Sequence, residues 1–158
     1  MRLYYALSIF SAVISASESR AVEAIAPGIN TGTAPIPADR LAVDDISLAA
    51  TCSGTAPFNS PDATTLADFL LFQPETTVAA LPRLSIAWIS LGTAKICISN
   101  LGFQSINITY TEIGTGVQSI VDTCCLTPTC VGGTETGLAV GETTPRIPLR
   151  LKAASQQC

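Results

Sequence analysis

Histidine is absent from this 158-residue chain, which also holds a single methionine, a single tryptophan and only 13% charged residues. Without an imidazole, Ser-His-Asp and Cys-His nucleophilic catalysis are excluded, as is acid–base work by histidine. Basic residues are scarce, eight Lys and Arg against twelve Asp and Glu, and they form no cluster in the sequence. Nucleic-acid binding through phosphate neutralisation needs concentrated positive charge, so no nucleic-acid partner is expected. Long apolar runs are missing too. Beyond the first residues nothing approaches the roughly 18 apolar residues of a spanning helix, so no membrane span is expected. Metal ligands are equally thin. Zinc sites draw on close pairs of Cys or His, whereas here only Cys124, Cys125 and Cys130 lie near one another. No cofactor or metal site is expected.

What is present points outside the cell. Met1-Arg2 gives a positive start, Leu3 to Val13 is almost unbroken apolar sequence, and Ile14-Ser15-Ala16 offers small residues for cleavage. Residues 1–16 therefore read as a signal peptide, too short to anchor in a bilayer, and the product as secreted and extracellular. Cleavage is expected after Ala16 or within a few residues. Residues 17–50 are rich in Ala, Pro, Gly and Thr and poor in large side chains before Leu41. Such a stretch buries little apolar surface against its ordering entropy, so it reads as a disordered leader or pro-segment. Arg20 and Arg40 stand alone, and no dibasic processing site is visible. The remainder, 51–158, reads as one domain.

Six cysteines fall after the signal segment: Cys52, Cys97, Cys124, Cys125, Cys130 and Cys158. An even number in a short exported chain implies a disulfide framework within a monomer. The strand and helix patterns limit the pairing. In Ala94 to Ser99 the isoleucines Ile96 and Ile98 share a face with Ala94, which turns Cys97 to the opposite face. Cys97 is then expected to bond a segment crossing that face, either the Cys52 segment or the Cys158 region. Cys52 and Cys97 are both open as partners of Cys158.

Ser60-Pro61-Asp62 begins a helix carrying Leu66, Phe69 and Leu70 on one side, and Pro74 ends it. Leu84–Leu91 and Ala94–Ser99 form a hairpin about Gly92-Thr93. Ser105–Tyr110 alternates, with Ile106, Ile108 and Tyr110 on one face and Asn107 on the other. Thr111 is the expected N-cap of a second helix with Ile113, Val117, Ile120, Val121 and Cys124 as its stripe. Gly114 and Gly116 weaken its first turn, by about 1 kcal/mol each relative to alanine. Thr127–Gly133 reads as a loop, and Gly137–Val140 and Arg146–Lys152 as the last strands. Pro145 and Pro148 place the final strand at an edge. The order α-β-β-β-α-β-β predicts an α+β fold, a small antiparallel sheet with two helices packed on one face, stapled by disulfides.

Among possible sites, Asn107-Ile108-Thr109 is an N-glycosylation sequon on the polar face of its strand. Glu112 and Asp122 are the most evident carboxylate pair, but ten residues of helix separate them by about 15 Å. Glycosidase carboxyls stand roughly 5 to 9.5 Å apart. Glu135, Glu142, Asp44 and Asp45 read as solvated acids. Gly132-Gly133 lacks the strand-to-helix setting of an anion loop and reads as a turn. Trp88 reads as core packing rather than as a carbohydrate-stacking platform.

The run Gly92–Cys97, the strand Ser105–Tyr110, the helix reaching Cys124, Gly132-Gly133 and the Pro145-Arg146-Ile147 strand together resemble fungal killer-toxin-like and necrosis-inducing secreted effector proteins. The likeness covers about residues 84–151 and consists of order and spacing. It implies a small α/β sandwich and a toxin-like effector role. Cys125, Cys130 and Cys158 have no assured place in that pattern, and no residue here matches a toxin's active basic side chain. The expected function is binding of an unknown host or competitor cell-surface or wall component, without catalysis. A carboxylate-based extracellular hydrolase and a structural cell-wall protein are the alternatives.

Overall fold

The computed structural model describes residues 28–36, 50–138 and 147–158. Apolar side chains at period two set its strands, and spacings of three and four set its helices. In chain order the elements are β1 (Ile29–Pro35), β2 (Thr51–Cys52), β3 (Phe58–Asn59), α1 (Ser60–Leu71), β4 (Val78–Leu81), β5 (Ser85–Leu91) and β6 (Ala94–Asn100). There follow β7 (Ile106–Thr109), α2 (Tyr110–Cys124), β8 (Thr129–Cys130), β9 (Gly133–Leu138) and β10 (Ile147–Ala153). Six strands make one antiparallel sheet in the order β1-β5-β6-β10-β9-β2. β3 pairs with β8, and β4 with β7, as two short ribbons. The fold is α+β, as the sequence predicts.

The core lies between one sheet face and the two helices. Ile89 and Ala87 of β5 stand opposite Ile96 and Ile98 of β6, which in turn face Leu151 and Leu149 of β10. Leu66 and Leu70 of α1 and Ile113, Val117 and Ile120 of α2 close over them, all fully buried. Each such side chain contributes about 1.5–3 kcal/mol on leaving water. Gly114 is a packing position rather than a weak point. A Cβ there would stand 2.9 Å from the backbone nitrogen of Leu71, so the missing side chain is what lets the two helices approach.

Four expectations are corrected. The first concerns the 17–50 leader. Residues 29–35 are a paired edge strand, with Ile29 opposite Leu91 and Pro35 opposite Ser85. Low apolar content did not prevent order because the neighbouring strand supplies the hydrogen bonds. The rest of 17–50, like the signal segment and the expected strand end at 139–140, lies outside the described residues. The second is that β10 is not an edge. It runs between β6 and β9, and Pro148 is tolerated because the β9 pairing shifts register between Ile147 and Leu149. The third concerns α2, which is capped by Thr109, not Thr111. Thr109 accepts from the Glu112 amide, and the Glu112 carboxylate accepts from the Thr109 amide. The fourth is that β8 and the start of β9 occupy what reads as a 127–133 loop.

The expected hairpin forms as β5 and β6, with Leu91 opposite Ala94. Gly92 takes a φ of +56°, at the first turn position where a primed turn favours glycine. The turn docks on α1. The Thr93 amide and hydroxyl both donate to Asp62, at 2.7 and 2.6 Å, and the Thr93 hydroxyl accepts from the Asn59 amide.

Candidate binding face

Alternation along the sheet fixes what its second face displays. Since Ala87, Ile89, Ile96, Ile98, Leu149 and Leu151 turn to the helices, Ile86, Trp88, Lys95, Cys97, Arg150 and Lys152 turn away. Of these, Lys95 and Lys152 are directly opposite one another. Two like charges in that relation repel. The chain relieves this by folding back after β10. Lys95 donates to the Gln156 carbonyl at 2.8 Å, and Lys152 to the Gln157 carbonyl at 2.9 Å. The same segment is tied to β6 by a Cys97–Cys158 disulfide and to the Thr55 hydroxyl through the Gln156 amide. Residues 154–158 thus lie as a strap across the outer face.

Two clefts flank the strap, each of about 390 Å³. The first is polar, with Ser53, Thr55, Thr134, Arg150, Lys152 and Gln156 in its walls. The second is more apolar, lined by Ala34, Pro35, Ile86, Trp88, Lys95 and Gln157. Trp88 therefore departs from the expected core role. It is half-buried on the outer face and absent from the buried cluster. Its ring rests on β1 at Gly32, where a Cβ would fall 2.1 Å from Cζ2 of the indole. An aromatic laid over an edge-strand glycine shields that strand and fixes the ring. The strand parity that turns Cys97 outward also turns its cross-strand partner Trp88 outward. That signal was in the sequence.

The cysteines form three bridges: Cys52–Cys124, Cys97–Cys158 and Cys125–Cys130. The opposite-face placement of Cys97 holds, and its partner is Cys158. Cys52 instead ties β2 to the last residue of α2, and Cys125–Cys130 closes a short loop between α2 and β8. Asn107 is exposed on β7, opposite Ala80.

The acidic side chains are distributed among structural tasks. Glu112 completes the α2 cap. Asp122 accepts from the Gln118 amide one turn away, at 2.7 Å. Glu135, expected as a solvated acid, is buried on the helix-facing side of β9 and accepts from the Ser119 hydroxyl at 3.0 Å. It lies opposite Leu149, and that parity places it under α2. Asp62 is held below its ordinary 3.8, first by the Thr93 hydroxyl and then by the Thr93 amide, against a smaller opposing effect of burial. Glu142, Asp44 and Asp45 lie outside the described residues. Gly132, with a φ of +85°, leads into β9 and opens no helix. No helix among the described residues is long and apolar enough to cross a membrane.

In comparisons with known proteins, no family, curated protein or solved structure matches this chain.

Proposed function

We propose that this chain is a small secreted effector or toxin-like protein that acts by binding a host or competitor cell component, without catalysis. The observation that carries this is the outer sheet face, where two clefts lie side by side about a disulfide-held strap. Pockets of this kind recognise ligands by shape and a few placed polar groups. Three bridges are compatible with an oxidising extracellular setting. The likeness in order and spacing to killer-toxin-like effectors supports the same reading, as does the accessible sequon at Asn107, proposed to carry a glycan. In this reading residues 1–16 are removed on export. N-terminal sequencing of protein recovered from culture medium is expected to begin just after Ala16, and retention of the full chain in cells would defeat it.

The binding role is tested with purified protein on wall polysaccharides and on plant and fungal cells. Single replacements of Glu112, Asp122, Glu135 and Glu142 accompany the wild type. Binding or a cell response is expected to persist through all four wherever the variant folds, and to vanish on reduction. Glycan turnover abolished by one acidic replacement in a folded variant would sink the proposal in favour of a hydrolase.

A further inference from the structure

The geometry points to a saccharide subsite in the apolar cleft, with the Trp88 indole as a platform for a pyranose ring. This deepens the binding role proposed above and rests on it, by naming the ligand class and the place. A pyranose has apolar C–H faces and a hydroxyl edge, so its site needs a flat apolar surface ringed by a few polar groups. The cleft supplies both. Trp88 is half-buried and outside the core, and its ring is seated on Gly32 so closely that no side chain fits between them. Pro35 and Ile86 wall the platform, while Lys95 and Gln157 offer an ammonium and an amide to ligand hydroxyls.

The polar rim is also held in place before a ligand arrives. Lys95 is held by its bond to the Gln156 carbonyl, and the backbone of Gln157 by the Lys152 bond to its carbonyl and by the adjoining Cys97–Cys158 bridge. Groups fixed in this way lose little conformational freedom on binding. The size of the cleft discriminates among partners. About 390 Å³ falls at the small end of ligand pockets. It suits a short stretch of glycan, whereas a folded protein partner needs a broad contact of about 800 Å² on each side.

The chain's only tryptophan is this one, so emission excited at the red edge, where the three tyrosines do not absorb, reports on the cleft alone. Soluble oligomers of glucose, N-acetylglucosamine, mannose and galacturonate are titrated into the oxidised full chain. At least one series is expected to give a saturable blue shift and protection from acrylamide quenching. On a column of that glycan, Trp88→Ala is expected to lose about tenfold in affinity or more, and Trp88→Phe to keep part of it. Gly32→Ala, which keeps the indole but displaces it, should weaken retention as well. Melting temperature and bridge mapping identify folded variants. Should Trp88→Ala fail to fold, the wild-type titration decides. A glycan bound with unchanged emission and undiminished by Trp88→Ala in a folded protein would overturn the subsite. Binding to cells with no response to any oligomer would also overturn it while leaving the binding role intact. Failure on cells and glycans alike would overturn both.

Discussion

At Asp62 one carboxylate joins three elements, because it accepts both polar hydrogens of Thr93 and so fastens the β5–β6 turn to the first turn of α1. Its lowered pKa means the folded state prefers the charged form. The resulting stabilisation is complete above the ordinary carboxylate value and is lost as pH falls through the lowered folded value. Asp62 is half-buried at the surface, where solvent screens the interaction, so the effect at neutral pH is below about 1 kcal/mol. Denaturant melts of wild type and Asp62→Asn across acid pH are expected to converge toward the bottom of the range. A stability difference that ignores pH would refute this account. A second residue-scale test separates the two threonines at the start of α2. Thr109→Ala should cost about 1 kcal/mol, the usual effect of losing an N-cap. Thr111→Ala should cost little, since its hydroxyl is buried without a hydrogen-bond partner. The Thr109-Tyr110-Thr111-Glu112 spacing is a capping box and was legible as such. The alternation of Ser105–Tyr110 carries the strand pattern one residue too far and so points to Thr111, whereas Tyr110 already belongs to the helix.

Elements were legible where a local period decided them. The two helices, the β5–β6 hairpin and the alternation of β7 all follow from side chains spaced at two or at three and four. Elements whose order comes from a distant partner were not. β1 has few large apolar residues and is defined by its ladder to β5. β2 and β8 are two residues each and exist through β9 and β3. Gly114 shows the same limit, since helix propensity marks it as a weakness and only the α1 neighbour gives it a purpose. Gly114→Val should therefore destabilise by about 2 kcal/mol despite removing a poor helix former, as overpacking at a close approach does. Chemical denaturation measures it, and a neutral or stabilised variant would mean the helices separate freely. The bridges form a further graded series. Cys97–Cys158 spans 61 residues, but Cys125–Cys130 only 5. In the chain-entropy view, serine replacement of both cysteines should cost about 4 kcal/mol for the long closure and about 2 kcal/mol for the short one. Equal losses would argue that local packing dominates. Loss of the long bridge should also release the strap and raise acrylamide quenching of Trp88, which the short one should leave alone.

Across the whole molecule, the candidate face was half legible. The parity of Cys97 in the sequence already turned one side of β6 toward a crossing segment, and the structure places the strap there. The same parity, carried across the two-residue Gly92-Thr93 turn, puts Trp88 beside it; what no spacing rule supplied was that β1 returns from the 17–50 segment to support the indole. That support depends on strand neighbours brought together across a long separation. The order of those neighbours has a consequence for how the molecule is made. Synthesis delivers β6 well before β10 and β9 only shortly before it, yet β10 must lie between them, hydrogen-bonded to both. Until residues 147–153 emerge, each of the two waiting strands presents an open edge, and the isoleucines of β6 lack the leucines that face them. Exposed edges of this kind recruit other chains. The β1-β5-β6 half of the sheet thus waits with an open edge from the completion of β6 until β10 arrives, which makes that interval the period when escort by a chaperone matters most.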